Sequence, residues 1–193
     1  MSYLSNYTKA TSDALNKTIS TFDGKQQELD EAFEQWIHLV HDRKEKDGTF
    51  FFCGNGASCT MAEHLSHDCF QNADMKTYTI SETSHITAIS NDISYDDVFA
   101  YRIGKIGTPN DVLITISSSG NSPNVIKAIN TAHEKGMFVV TLSGKGEDNK
   151  SRKFGDLNFY VPLPTYGLVE SAHAVLLHAL LDAYLDKFMG GKH

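Results

Sequence analysis

The stretch TFFFC (residues 49–53), which runs directly into GNGAS (54–58), decides how this chain folds. Its first part is short, apolar and headed by a β-branched residue, as is typical of a strand buried inside a sheet. The small and glycine-containing residues that follow are typical of a loop leading from such a strand into a helix. Together they predict the first strand and the first loop of a sheet-based domain.

Four more runs of the same character follow along the chain, namely KTYTI (76–80), DVLITIS (111–117), MFVVTLS (137–143) and LNFYVP (157–162). Helical patterns separate and follow them, over 58–71, 95–103, 123–135 and 168–188. Alternating strands and helices predict an α/β fold with a doubly wound sheet, and crossover helices make its five strands parallel. The polar stretch 143–156 is predicted as the one long loop.

The first 47 residues form a separate predicted unit. Their apolar positions recur at helical spacing, at Leu29, Phe33, Trp36, Ile37 and Val40. We expect two helices here, broken near Asp23 and Gly24, that pack on the main domain of residues 48–193 or on another subunit, because an exposed apolar stripe is unfavourable.

Composition excludes several classes of function. The chain has 193 residues and a formal net charge of -7, which disfavours binding to nucleic acid or to an anionic membrane surface. No run approaches the ~18 apolar residues of a membrane span, and the N-terminus lacks the pattern of a secretory signal. Three cysteines without CxxC spacing indicate reduced, buried thiols. We therefore expect a cytoplasmic protein that binds neither nucleic acid nor membrane.

A serine-rich segment follows the third predicted strand and reads Ser117-Ser118-Ser119-Gly120-Asn121-Ser122-Pro123. Hydroxyl and backbone donors converge here at the start of a helix, where the helix dipole favours an anion such as phosphate. In a parallel sheet this segment and GNGAS lie at the same edge. A turn that merely caps the helix is the alternative. Since no Walker lysine follows, a nucleoside triphosphate is not indicated.

Two helices carry histidine and carboxylate pairs. After GNGAS, His64 and Asp68 stand four residues apart, and Glu63 and His67 form a second such pair rotated by about 100°. Helical spacing alone does not choose between them.

The last predicted helix carries Glu170 and His178, which lie on one face, with His173 about 60° away from it. A histidine in an apolar helix is often a core residue, but two imidazoles with two carboxylates suit a divalent metal such as Zn²⁺.

These residues resemble the SIS (sugar isomerase) domain family, and within it the bacterial sedoheptulose 7-phosphate isomerases. The resemblance covers most of the chain and rests on GNGAS (54–58), TAISND (87–92), SSSGNSPNVIKAI (117–129) and the spacing of residues 170 and 178. It implies an αβα sandwich with a five-stranded parallel sheet in flavodoxin-like winding, assembled as a homotetramer with sites between subunits. It also implies aldose–ketose isomerisation of a sugar phosphate.

The resemblance further implies the roles of individual residues. Phosphate contacts would come from Ser117, Ser118, Ser119 and Ser122, and other substrate contacts from Asn55, Gly56, Ala57, Asn91, Asp92 and Glu170. The metal, with Zn²⁺ expected, would be held by His64, Asp68, Glu170 and His178. Asp68 and His178 would be the catalytic pair.

Four positions depart from the family pattern. Asp68 and Glu170 stand where the family has Glu and Gln, and Asn72 and Leu168 replace two arginines. Two alternatives therefore stand beside the heptulose isomerase: an isomerase of another sugar phosphate, and a non-catalytic SIS module that senses a sugar phosphate or acts as an adaptor.

Overall fold

A seven-stranded mixed sheet runs through the centre of the protein in a computed structural model that describes residues 2–191. The strands are β1 (Ile19–Phe22), β2 (Lys25–Gln27), β3 (Thr49–Gly54), β4 (Lys76–Thr79), β5 (Val112–Ser117), β6 (Phe138–Gly144) and β7 (Leu157–Val161). Their order across the sheet is β2-β1-β7-β6-β5-β3-β4.

The predicted α/β class and all five predicted strands are confirmed. Strands β3 to β7 are parallel and lie in the order second, first, third, fourth, fifth, which is the flavodoxin-like winding. Parallel strands in this order bring the loops after β3, β5 and β6 to one edge of the sheet.

The sheet has two strands more than the five predicted, because β1 and β2 form an antiparallel hairpin beside β7. The hairpin turn is Asp23-Gly24, where a break between helices was expected, and both residues have positive φ, 47° and 74°. An Asp-Gly pair with this backbone is a strong hairpin signal. The flanking strands are only four and three residues long, and β2 is polar, so they give no apolar run.

Eight helices accompany the sheet in the described part of the chain. They are α1 (Tyr3–Leu15), α2 (Leu29–Glu45), α3 (Ala57–Ala73), α4 (Thr83–Asp92), α5 (Ala100–Ile106), α6 (Pro123–Glu134), α7 (Lys150–Phe154) and α8 (Tyr166–Phe188). The sequence did not predict α4 or α7, and α7 divides the expected long loop. The helix expected over 95–103 is a 3-10 turn (Tyr95–Asp97) followed by α5.

Side chains alternate across the sheet and build a core on each face. Phe50 and Phe52 of β3 pack with α2, α3 and α8, whereas Phe51 and Cys53 pack with α4 to α6. Helix α2 buries Trp36 in the first of these cores, together with side chains of α3 and α8. The sandwich of helices, sheet and helices follows from this two-sided burial.

The three cysteines are free, as predicted. Cys53 and Cys69 are buried and Cys59 is half-buried. Burial raises the pKa of all three thiols, in Cys69 to about 12. Such thiols are weak nucleophiles and pack as small apolar side chains.

Helix α8 was not expected to qualify as a membrane span, yet by length and composition alone it is apolar enough to cross a membrane. Half of its most apolar window is buried inside the protein, against α2, α3 and the sheet. A core helix of a folded domain has the same composition.

His173 belongs to the buried side of α8. It is fully buried, and its Nε2–H donates to the Ser143 carbonyl oxygen at 3.1 Å, while its Nδ1 has no partner. Burial lowers the pKa of His173 from 6.5 to about 4, against the opposing effect of the hydrogen bond. His173 is therefore a neutral core residue that connects α8 to the end of β6.

This buried imidazole predicts a pH-dependent stability. Between pH 6.5 and about 4 the unfolded chain binds a proton at His173 that the folded protein excludes. The free energy of unfolding should therefore fall as the pH falls through this window, by at most ~3 kcal/mol from this residue. His173→Gln keeps an N–H donor but does not titrate, so urea unfolding from pH 7 to pH 4 should show a shallower loss. Equal pH slopes in both proteins would contradict this assignment.

Candidate active site

The serine turn (residues 117–122) connects β5 to α6 and forms one wall of a cavity of about 200 Å³, called here the serine cavity. The lining is mostly polar and consists of Asn55, Ser58, Ile116, Ser117, Ser118, Ser119, Ser122, Tyr166 and Glu170. All four serines predicted to hold a phosphate therefore face one cavity. Ser58 and Tyr166 were not predicted; Ser58 is the last residue of the GNGAS stretch and lies in the first turn of α3.

Ser118 has a hydroxyl that no other group in the described chain satisfies. The residue is only 5% exposed, and its Oγ has no hydrogen-bond partner. By contrast, the hydroxyls of Ser117 and Ser119 accept hydrogen bonds from the N–H groups of Gly120 and Asn121. An unsatisfied buried hydroxyl costs about 1–3 kcal/mol, and a ligand acceptor such as a phosphate oxygen would satisfy it.

The serine turn is held in place by the segment after β6. Ser151 N–H donates to Gly120 O at 2.9 Å, and Lys150 N–H donates to Asn121 Oδ1 at 3.0 Å. Gly120 has a φ of 62°, and a Cβ at this position would lie 2.1 Å from Asn149 Oδ1. The turn therefore needs glycine for its backbone conformation and for this close approach.

The GNGAS loop faces the same cavity through Asn55. The side-chain amides of Asn55 and Asn124 donate to each other at 2.9 Å in both directions, and Tyr95 Oη donates to Asn55 Oδ1 at 3.1 Å. Gly56 lines a neighbouring cavity of about 120 Å³, and Ala57 is exposed at the start of α3. Asn124, which the sequence analysis missed, follows the Ser-Pro pair that begins α6 and fixes the orientation of Asn55.

His64, Asp68 and His178 form a cluster, called here the metal cluster, whose nearest ligand atoms all lie within 4.8 Å of one another. The two histidine Nε2 atoms are 3.4 Å apart, and His64 Nε2 lies 3.3 Å from Asp68 Oδ2. Helices α3 and α8 thus bring together three of the four predicted ligands. Of the two histidine–carboxylate pairs on α3, the pair His64 and Asp68 faces α8 and belongs to the cluster.

The donor chemistry of this cluster fits a metal ion. His178 Nδ1–H donates to the Ala174 carbonyl oxygen at 2.7 Å, which leaves a lone pair on Nε2 facing His64. Tetrahedral zinc with Zn–N bonds of ~2.05 Å separates neighbouring nitrogens by about 3.3 Å. Two of the three separations, 3.4 Å from His64 to His178 and 3.3 Å from His64 to Asp68, match that value, and all of the ligand atoms lie within 4.8 Å of one another. The cluster is therefore a candidate metal site.

One predicted metal ligand, Glu170, lies in the serine cavity, and two predicted substrate contacts, Asn91 and Asp92, lie in neither group. Glu170 is not part of the metal cluster, because it comes two turns before His178 on α8, and it lines the serine cavity instead. Asn91 and Asp92 are exposed at the end of α4, where Asn91 Nδ2 donates to Asp92 Oδ1 at 2.8 Å. Substrate contacts by these two residues remain a prediction.

Comparison with known proteins finds relatives over most of the chain. The model of the SIS domain family matches residues 13–144. The phosphoheptose isomerase of Helicobacter pylori (strain P12) is 32% identical over 179 residues, which are 90% of this chain and 89% of the relative. That of Azoarcus sp. is 36% identical over 77% of this chain and 79% of its own. The solved structure of the Neisseria gonorrhoeae enzyme superimposes with a TM-score of 0.81 at 30% identity, covering 94% of this chain and 95% of that one.

The packing of Gly120 generates a stability prediction. Gly120→Ala should lower the free energy of unfolding by about 2–4 kcal/mol, because the new Cβ meets Asn149 in addition to the backbone strain. Gly24→Ala is the matched control: Gly24 also has a positive φ, 74°, but no atom lies within 4 Å of its Cβ position. That variant should lose only about 1–2 kcal/mol. Equal losses in urea unfolding would show that contact with Asn149 does not constrain the turn.

Proposed function

This chain belongs to the SIS domain family, and on that premise we propose that it converts sedoheptulose 7-phosphate to D-glycero-D-manno-heptose 7-phosphate. The observation that carries the proposal is the pairing of a serine cavity with a histidine–carboxylate cluster along the same helix, α8. The first group suits a phosphate ester, and the second suits proton transfer at the other end of the substrate.

The spacing of the two groups supports a long substrate. Glu170 lines the cavity and His178 belongs to the metal cluster, and eight residues of helix separate their Cα atoms by about 12 Å. An extended seven-carbon sugar phosphate has a length of this order, whereas a three- or four-carbon one does not. The relatives named above are phosphoheptose isomerases, in agreement with this length.

We assign the binding of the phosphate to Ser117, Ser118, Ser119 and Ser122. The unsatisfied Ser118 hydroxyl supports this assignment, and the start of α6 places the positive end of a helix dipole at the turn. Asn55, Gly56 and Ala57 would line the sugar, with Asn91 and Asp92 at its hydroxyls.

The isomerisation moves one proton from C1 to C2. A base removes a proton from C1 of the ketose while the C2 oxygen is protonated, which gives a cis-enediol. Return of a proton to C2 and loss of the proton on O1 then give the aldose. We assign His178 as an acid and base in this exchange while its Nε2 is not bound to an ion, because its Nδ1 is engaged with the Ala174 carbonyl oxygen. Asp68 is a base or a metal ligand. Asp68 is the better shielded, with a side chain 20% exposed against 57% for His64.

Glu170 lines the serine cavity and is not among the residues of the metal cluster, so we assign His64, Asp68 and His178 as the residues that would hold an ion there, with Zn²⁺ as that ion. When bound, it supplies Lewis-acid polarisation of the substrate oxygens at C1 and C2. The observed donor separations and the free lone pair on His178 Nε2 support this identity.

We further propose a homotetramer that works in the cytoplasm. Large apolar side chains are exposed near the site, among them Phe70, Ile93, Tyr95 and Val175. A second subunit that covered them would also shield the exposed imidazoles of the metal cluster, which favours proton transfer in a water-poor site.

Turnover tests the assignment of the catalytic pair. His178→Gln and Asp68→Asn should each lower kcat for sedoheptulose 7-phosphate by about 10²–10⁴-fold, since each removes a proton-transfer group. Glu63→Gln, on the exposed other face of α3, is the control and should retain activity. Circular dichroism verifies the fold of each variant. Activity near that of the wild type in either active-site variant would remove that residue from the mechanism, and a wild type that binds the substrate without turnover would indicate a sensing module.

Metal content tests the second assignment. Elemental analysis of the freshly purified protein should find about one zinc per chain, and His64→Gln should lose most of it, because one of the three ligands is gone. His67→Gln, an exposed histidine on the same helix, should retain the metal. Chelation should abolish turnover and added Zn²⁺ should restore it. Unchanged zinc content in His64→Gln would refute this site.

A further inference from the structure

The lining of the serine cavity has no positive charge to balance the negative charge of a bound phosphate. The only charged side chain among its lining residues is the Glu170 carboxylate. A phosphate ester carries ≈ −1.5 to −2 charges near neutral pH, so this carboxylate opposes its binding. Serine hydroxyls and backbone N–H groups supply dipoles but no full positive charge. A cation at the mouth of the cavity would offset the repulsion.

Lys145 lies where such a cation is needed. Ser143 of β6 is the register partner of Ser117 of β5, and Lys145 follows Ser143 by two residues, just as Ser119 follows Ser117. The Lys145 ammonium lies over the Tyr166 ring, 3.8 Å from its centroid. Because Tyr166 itself lines the cavity, this contact holds the ammonium beside the cavity wall.

The backbone of Lys145 is fixed on both sides. Its N–H donates to the Leu163 carbonyl oxygen at 3.2 Å, and its carbonyl oxygen accepts from Tyr160 Oη at 2.9 Å. Its φ is 58°, a left-handed conformation that is unfavourable for lysine. Asn149 joins this segment to the serine turn, since its Nδ2 donates to Gly146 O at 2.9 Å and its Oδ1 is the atom nearest to a Cβ at Gly120. The ammonium is therefore presented from an anchored point next to the turn.

We propose that Lys145 is the cation that recognises the substrate phosphate, with Tyr166 as its resting contact in the free protein. The inference rests on the proposed function and adds a specificity-determining residue to it. The exchange is favourable because a half-exposed cation–π contact is weaker than a charge-assisted hydrogen bond to a phosphate dianion. Lys145 would select for the phosphorylated end of the sugar without touching the reacting carbons.

Calorimetric titration with sedoheptulose 7-phosphate and with inorganic phosphate tests the proposal on the full-length protein. Lys145→Met keeps the length of the side chain and the same backbone conformation but removes the charge, so both dissociation constants should rise by about tenfold. Lys145→Arg should restore binding to within about threefold. Lys153→Met removes the same charge from a lysine on the far side of α7, which lines the cleft beside the β1–β2 hairpin, and should bind like the wild type.

Two further readouts separate recognition from a structural role. Unphosphorylated sedoheptulose should bind equally to the wild type and to Lys145→Met, and higher salt should narrow the difference between the two proteins for the phosphate ligands. Equal phosphate binding in the wild type and Lys145→Met would overturn the role of Lys145 and leave the proposed function intact. A wild type that binds neither phosphate ligand would overturn both.

Discussion

Parallel pairing of β5 with its two neighbours is the constraint from which the site follows. Ile116 is the partner of Gly54 in β3, and Ser117 is the partner of Ser143 in β6, so three strands end at the same level. The loops after them must then meet at one edge of the sheet. A slip of register in any of these pairs would separate the GNGAS loop, the serine turn and Lys145. Packing on both faces of β3 and β5 stabilises the register, because each strand buries side chains in both cores.

Helix α8 positions the serine cavity and the metal cluster relative to each other. Its apolar side packs into the larger core, where His173 is also buried and joined to β6. Its exposed side carries Glu170 beside the serine cavity and His178 beside α3. The same helix therefore stabilises the core and sets the distance between the two functional groups. This double role explains why α8 has the mean hydropathy of a core helix although one of its sides faces the site.

Much of this arrangement could be predicted from the sequence because it depends on local patterns. Apolar runs marked the five parallel strands, and the serine turn was recognisable from its hydroxyls and the following proline. The spacing of four residues predicted a pair of His64 with Asp68 and equally a pair of Glu63 with His67. Spacing alone does not show which face of a helix points toward the rest of the protein. Only the packing of α3 against α8 selects the first pair. The same limit applies to His173 and His178, which are five residues apart and have opposite environments, one buried and one exposed.

Other features were missed for identifiable physical reasons. The β1–β2 hairpin is too short and too polar to give an apolar run, although its Asp-Gly turn was a usable signal. Lys145 lies in a polar segment that looked like a plain loop, and its importance comes from contacts with Tyr166 and Tyr160, which are distant enough in sequence that no motif connects them.

A crystal structure of the protein with sedoheptulose 7-phosphate bound tests most directly whether the serine cavity and the metal cluster bind the two ends of one substrate. We expect the phosphorus atom in the serine cavity, with a phosphate oxygen at hydrogen-bond distance from Ser118 Oγ, and C1 and C2 of the sugar beside His178 and Asp68. A phosphate bound away from residues 117–122, or a sugar whose C1 and C2 point away from His178 in every subunit, would contradict this arrangement.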